Sequence, residues 1–233
     1  VRTAALLIIG DEILSGEIED TNAPAFLRRC REVGIPVRRL VVVGDDAETI
    51  ASELTRLRAL ADAVVLSGGL GPTHDDETRL AVARALGLEL ERHPQAAERI
   101  RGYYGEKTTD ADLSMASFPA GARLVVGPET GSFGFEVGGV YALPGVPFLF
   151  RDIVEGLLPD FEGAPLHRHE IFSHLREGEL APRLADFQGR WRDVAIGSYP
   201  ECIDGDWRVR VVLRGADQAR VAALAGDLTP HIA

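Results

Sequence analysis

The stretch SGGLGPTHDDET, residues 67–78, lies between an apolar run, ADAVVL (61–66), and the helical pattern TRLAVARALG (78–87). Three glycines, a proline and two adjacent aspartates occupy this junction. Glycine lets backbone N–H groups come close to a ligand, and the start of the next helix adds partial positive charge. Such a loop suits a phosphate or pyrophosphate. Carboxylates beside it suit a hard divalent cation, which takes oxygen ligands and can bridge to phosphate oxygens. The plainer alternative is a tight Gly-Gly-x-Gly turn, with Asp75 and Asp76 acting as helix N-caps.

The same kind of junction recurs upstream. AALLIIG (4–10) is a continuous apolar strand followed by Asp11 and Glu12, and VRRLVVVG (37–44) is a strand followed by Asp45 and Asp46. Between them, TNAPAFLRRCREVG (21–34) reads as a helix capped by Thr21 or Asn22, with Pro24 in its first turn and Gly34 at its end. A second helix spans DAETIASELTRLRALA (46–61). Continuous strands separated by helices imply a parallel sheet covered on both faces. Ligands of such sheets sit outside the carboxyl ends of the strands. The three acidic junctions therefore converge on one edge. Capping explains one residue of each pair, whereas Glu12 has no cap role unless a helix starts there.

Downstream, HPQAAERIRGYYG (93–105) is helical and KTTDADLSMASFPAGA (107–122) reads as a loop. Short strands follow at RLVV, GFEVG and VYALPG, and PFLFRDIVEGLLPDF (147–161) is a helix opened by Pro147. EGAP (162–165) marks a boundary, giving a first domain over 1–163 and a small α+β domain over 164–233. His167, His169 and His174 read as surface-strand histidines rather than metal ligands.

The 233 residues carry Lys+Arg 25 against Asp+Glu 36, a formal net charge of −11. That balance argues against nucleic acid or anionic membrane as partners, since both reward basic patches. The excess lies in the first domain, because the tail has nine Arg against ten Asp+Glu. Cys30 and Cys202 stand far apart with no metal-ligand spacing, as inert thiols of a reducing compartment do. No apolar run reaches the ~18 residues of a membrane span, and AALLIIG is too short for a signal peptide. A cytoplasmic location is expected.

GDEILSGEIEDTNAPAFLRRCREVGIPV, VVVGDD and DAVVLSGGLGPTHDDET together resemble the amino-terminal domain of the competence/damage-inducible protein A (CinA) family. That domain is related to the MoaB/Mog-like molybdopterin-binding domains. The likeness continues through MASFPAGARLV, ETGSFGFEV and YALPGVP. The tail, with REGELAPRLADF and AIGSYP, resembles the KH-like appendage of CinA-type proteins, without the G-x-x-G that clamps nucleic-acid backbone. The deamidase domain often fused to CinA is not expected. The resemblance implies an α/β, three-layer molybdopterin-binding-type fold with a mostly parallel sheet, plus a small α+β domain. Its implied activities are divalent-cation-dependent (Mg, Mn or Co) hydrolysis of nucleotide pyrophosphates such as ADP-ribose, and binding or adenylylation of molybdopterin. It also implies self-association. By motif position, Asp45, Asp76 and Glu12 are the implied catalytic residues, and Asp45, Asp76 and Asp75 the implied metal ligands. Asp11, Asn22, Gly68, Gly69, Gly71, Thr73, Ser132, Pro144 and Gly145 are implied to bind the substrate. DADLSMA departs from the family pattern before the FPxGA stretch, at Asp112, Ser114 and Met115.

Overall fold

A computed structural model describes residues 1–161, 163 and 166–233. The chain divides into two compact units, Val1–Gly163 and Ala164–Ala233. The expected boundary at 162–165 falls on residues of which only Gly163 is described.

The first unit runs β1 (Ala4–Ile9), α1 (Asp11–Leu14), α2 (Asn22–Glu32), β2 (Val37–Val43), α3 (Ala47–Arg58), β3 (Ala63–Ser67) and α4 (Thr78–Leu86). It continues through β4 (Leu90–Arg92), α5 (Pro94–Tyr104), α6 (Asp110–Ser114), β5 (Ser117–Pro119), β6 (Arg123–Val126), β7 (Phe133–Val137), β8 (Val140–Leu143) and α7 (Pro147–Leu157). Six strands form one sheet in the order β2-β1-β3-β8-β7-β6, while β4 and β5 pair apart from it. β1, β2, β3 and β8 are parallel, and β7 runs antiparallel to β8 and β6.

Alternation along β1 builds the three layers. Ala5, Leu7 and Ile9 face a core shared with Ile50, Leu54 and Leu57 of α3, Val82 of α4 and Ile100 of α5. Ala4, Leu6 and Ile8 face the opposite core, with Phe26 and Cys30 of α2 and Phe150, Ile153 and Leu157 of α7. Each such fully buried aliphatic or aromatic side chain contributes roughly 1.5–3 kcal/mol. β2 is different: as the sheet's edge strand it exposes Arg38, Arg39 and Leu40.

Two expectations are corrected locally. Asp20 caps α2, accepting from the N–H groups of Asn22 (2.8 Å) and Ala23 (3.1 Å), while Thr21 makes no side-chain cap bond. The stretch read as a loop, 107–122, holds α6 and β5. Thr109 and Asp112 form a reciprocal capping box at the start of α6, which stabilises a helix too short to announce itself by periodicity.

The second unit comprises β9 (His167–Ser173), α8 (Glu177–Arg190), β10 (Val194–Ile203), β11 (Asp206–Gly215) and α9 (Gln218–Ile232). Its antiparallel sheet, ordered β10-β11-β9, is packed by α8 and α9 around Ile171, Leu180, Phe187, Val211, Leu213, Leu224 and Leu228. His167 and His169 lie on β9, and His174 follows it. Among the described residues no three His, Cys, Asp or Glu side chains stand together as a ready metal-ligand set. No described helix is long and apolar enough to cross a membrane.

Candidate functional site

Strand order reverses beside β1: the chain leaves β1 for β2 on one side and returns to β3 on the other. A crevice outside the carboxyl ends forms at such a reversal. The ends of β1 and β3 meet closely there, because a Cβ on Gly68 would lie 2.2 Å from the Ile9 carbonyl oxygen. Gly68 also has φ +113°, so only glycine fits. Gly145, just beyond β8, packs on Gly68, with 3.3 Å between its would-be Cβ and the Gly68 Cα.

Asn22 joins these strand ends. It is 6% exposed, and its Nδ2 donates to Ser67 Oγ (2.9 Å) and to the Gly145 carbonyl (2.7 Å). Its Oδ1 is buried without a partner. Sequence reasoning placed Asn22 with the ligand-binding residues; the structure shows it bonded to two strand ends. Pro144 is half-buried beside Gly145.

The acidic residues separate into two groups. In the first, Asp45 is half-buried and its Oδ2 accepts the Asp11 N–H at 2.9 Å. Burial pushes the Asp45 carboxyl above the usual carboxylate range. The Asp11 N–H opposes that shift, and the negative charges of Asp11, Glu12 and Asp75 add to it. Asp11 and Glu12 belong to α1, a single helical turn, so a helix does begin there, though with no side-chain cap bond. The Asp11 carboxylate lies where a Cβ on Gly44 would be (2.2 Å), and the Glu12 carboxylate lies over Gly10 (2.6 Å). Asp46 stands apart as the N-cap of α3, bonded to the Thr49 N–H at 2.7 Å.

The second group is the loop 68–78 itself. Asp76 Oδ1 accepts from the Gly71 N–H (2.7 Å), and Oδ2 accepts from the Thr73 N–H (2.8 Å) and the Thr73 hydroxyl. Asp76 therefore closes the loop upon itself, and the N–H groups of Gly71 and Thr73 are already bonded. Neither Asp75 nor Asp76 caps α4, whose N-cap position is Glu77. Glu77 instead accepts the Ala47 N–H at 2.8 Å, tying the start of α3 to that of α4. Sequence reasoning passed over Thr78 and Arg79, which are 0% and 8% exposed and bond the loop's carbonyls. One signal was present: a cation in a helix's first turn opposes the macrodipole and needs another reason to be there.

Ser132 is not brought to this group. Its hydroxyl bonds Thr130 at 2.6 Å in the β6–β7 loop, which buried Asp152 ties down through the Glu129 and Thr130 N–H groups. That loop shares the sheet edge but lies beyond β8.

The neighbours that act on Asp45 are all acidic, so the donor set is oxygen only, the chemistry of a hard divalent cation. Among the described residues no three such side chains stand ready-made as a ligand set. An ion here would need oxygens from its ligand as well.

Residues 5–163 match a family described as a probable molybdopterin binding domain, and residues 165–233 match the middle domain of FAD synthase. A CinA-like protein of Syntrophus aciditrophicus is 36% identical over 211 residues, covering 84% of this chain and 50% of that protein. A probable FAD synthase of Caenorhabditis elegans is 28% identical over 260 residues, covering 100% of this chain and 50% of its own length. The crystal structure of the protein CinA, of unknown function, from Thermoplasma acidophilum is 34% identical with a TM-score of 0.64, covering 69% of this chain and 98% of that one. The chain spans about half the length of these two curated relatives.

Proposed function

The chain belongs to the molybdopterin-binding domain family, among its CinA-like members, and on that premise we propose that its first unit is a divalent-cation-dependent nucleotide pyrophosphatase. The substrate would be a dinucleotide such as ADP-ribose or FAD, cleaved at its diphosphate to release AMP. One observation carries this reading. The charges acting on half-buried Asp45 are all acidic, those of Asp11, Glu12 and Asp75, and this group adjoins a glycine loop suited to phosphate. Negative charge beside a phosphate loop makes chemical sense when a cation joins the two.

Asp45, with a neighbour among Asp11, Glu12 and Asp75 and with oxygens of the diphosphate itself, would hold that cation. When bound, it supplies neutralisation of the diphosphate oxygens and a lowered pKa for water. Gly68 and Gly69 let the backbone approach the phosphate, and Asn22 keeps the ends of β3 and β8 in register with each other. Asp76 holds the loop's shape through its three bonds. Positioning and electrostatics are then the main sources of rate, as is general for phosphoryl chemistry.

The family match favours a second reading, in which the same edge binds or adenylylates molybdopterin. Titrating the protein with ADP-ribose, FAD and ATP in Mg²⁺, Mn²⁺ or Co²⁺ and assaying for AMP separates the two. AMP from a dinucleotide supports the first reading, and turnover that requires molybdopterin supports the second. Binding without turnover leaves a silent nucleotide-binding protein and sinks both catalytic readings.

A further inference from the structure

Four consecutive carbonyls of the glycine loop are captured by the first two residues of α4. Gly68 O accepts the Thr78 hydroxyl (2.8 Å) and Gly69 O accepts the Thr78 N–H (3.2 Å). Leu70 O accepts Arg79 Nη1 (2.5 Å) and Gly71 O accepts Arg79 Nη2 (2.8 Å). In a planar trans peptide each carbonyl and the following N–H point in opposite directions. Turning these carbonyls toward α4 therefore turns the N–H groups of Gly69, Leu70 and Gly71 away from it. The Gly71 N–H meets Asp76. Pro72, the next residue, has no N–H. Among the described residues, the N–H groups of Gly69 and Leu70 find no acceptor in the protein.

Arg79 makes this arrangement unusual. It is 8% exposed, sits in the first turn of α4 against the helix dipole, and feels the charge of Asp76 without forming a salt bridge to any carboxylate among the described residues. Burying a guanidinium is costly unless its donors are satisfied, and here two carbonyls of one loop satisfy them. A loop needing only to turn would not require a buried cation beneath it. The geometry points to Thr78 and Arg79 as positioning residues that aim the Gly69 and Leu70 N–H groups at a ligand phosphate. This assignment rests on the phosphate-ligand reading above and names which backbone donors meet the phosphate and what holds them.

The test is calorimetric titration of the full chain with inorganic pyrophosphate and with ADP-ribose, each in Mg²⁺. The variants are Thr78→Val, Thr78→Ser, Arg79→Gln and Arg79→Lys, with melting curves run alongside. Thr78→Val and Arg79→Gln are each expected to weaken both ligands about tenfold, the scale of one lost hydrogen bond to a charged group. Thr78→Ser keeps the hydroxyl and should restore affinity. Arg79→Lys keeps the charge but not the fork, so its loss should exceed that of Thr78→Ser. Should Arg79→Gln not fold, Thr78→Val and Arg79→Lys carry the test. Wild-type affinity in folded Thr78→Val and Arg79→Lys would overturn the assignment and leave the proposed function standing. A wild-type chain that binds neither ligand would overturn both.

Discussion

Asp45 is the residue on which the site's electrostatics turn. Its carboxyl is pushed up chiefly by burial, with Asp11, Glu12 and Asp75 adding to the shift. A carboxyl raised in the folded state favours folding below its unfolded value, and that contribution is lost as pH rises through the folded value. Without added metal, the Asp45 contribution to stability should therefore fall as pH rises through the range just above the ordinary aspartate value, and it is read as the difference between wild type and a variant at that position. Asp45→Asn keeps an oxygen for the Asp11 N–H and removes the charge. Its melting temperature should gain on that of wild type as pH rises through this range and be equal or higher at neutral pH, and its cation-dependent AMP release should be abolished. Melts across pH with and without Mg²⁺, alongside the AMP assay, check all three. A lower melting temperature with full activity would show that Asp45 is a structural acceptor only.

At the scale of elements, two kinds of helix start coexist. α3 begins conventionally with a capping side chain, Asp46, whereas α4 begins with side chains that reach outward to the loop and to α3. In the second unit, α9 is fixed by a two-pronged pair: Arg220 Nε and Nη2 bond Asp193 at 2.7 and 2.9 Å, and the guanidinium lies 4.3 Å over the Trp191 ring. The Arg220 hydrogen bonds hold the Asp193 carboxyl down at about 2. A carboxyl lowered in the folded state stabilises above its unfolded value of 3.8, and that contribution is lost as pH falls toward about 2. Arg220→Gln should therefore lower the melting temperature near pH 7 and narrow its gap to wild type between pH 4 and 2. The pair is exposed, so the effect should be small and should shrink in high salt. A salt-independent difference would place the effect in the Trp191 stack instead.

At the scale of the whole molecule, each unit has a core of its own, two layers of it around the sheet in the first and one around β9, β10 and β11 in the second. A chain ending at Gly163 is expected to fold cooperatively and to keep the nucleotide affinity of the full chain, since every residue proposed for the site precedes that point. The isolated second unit, about 70 residues, is of a size that is marginal alone and should melt lower. Circular dichroism melts and ADP-ribose titration of the shortened chain check this. Loss of affinity with the fold intact would assign the second unit a part in ligand binding.

The layered α/β architecture, the parallel strands and the acidic, glycine-rich junctions at their ends were legible in the sequence alone. Strand burial and helix amphipathicity are local periodicities that any window of the chain carries. Motif position likewise singled out Asp11, Glu12, Asp45, Asp75, Asp76 and the Gly68–Gly71 loop, whose roles the AMP assay tests. The tertiary structure decided which groups of that edge have other work. Asp76 is bonded into its own loop, Ser132 into another beyond β8, and Asn22 into two strand ends, while Thr78 and Arg79 hold the loop's carbonyls. Hydrogen-bond partners depend on where separate segments meet and which way each peptide plane turns. Neither has a period that the residues could display in one dimension. α6 was missed for a related reason, since five residues fixed by a capping box give too short a run to show a helical repeat.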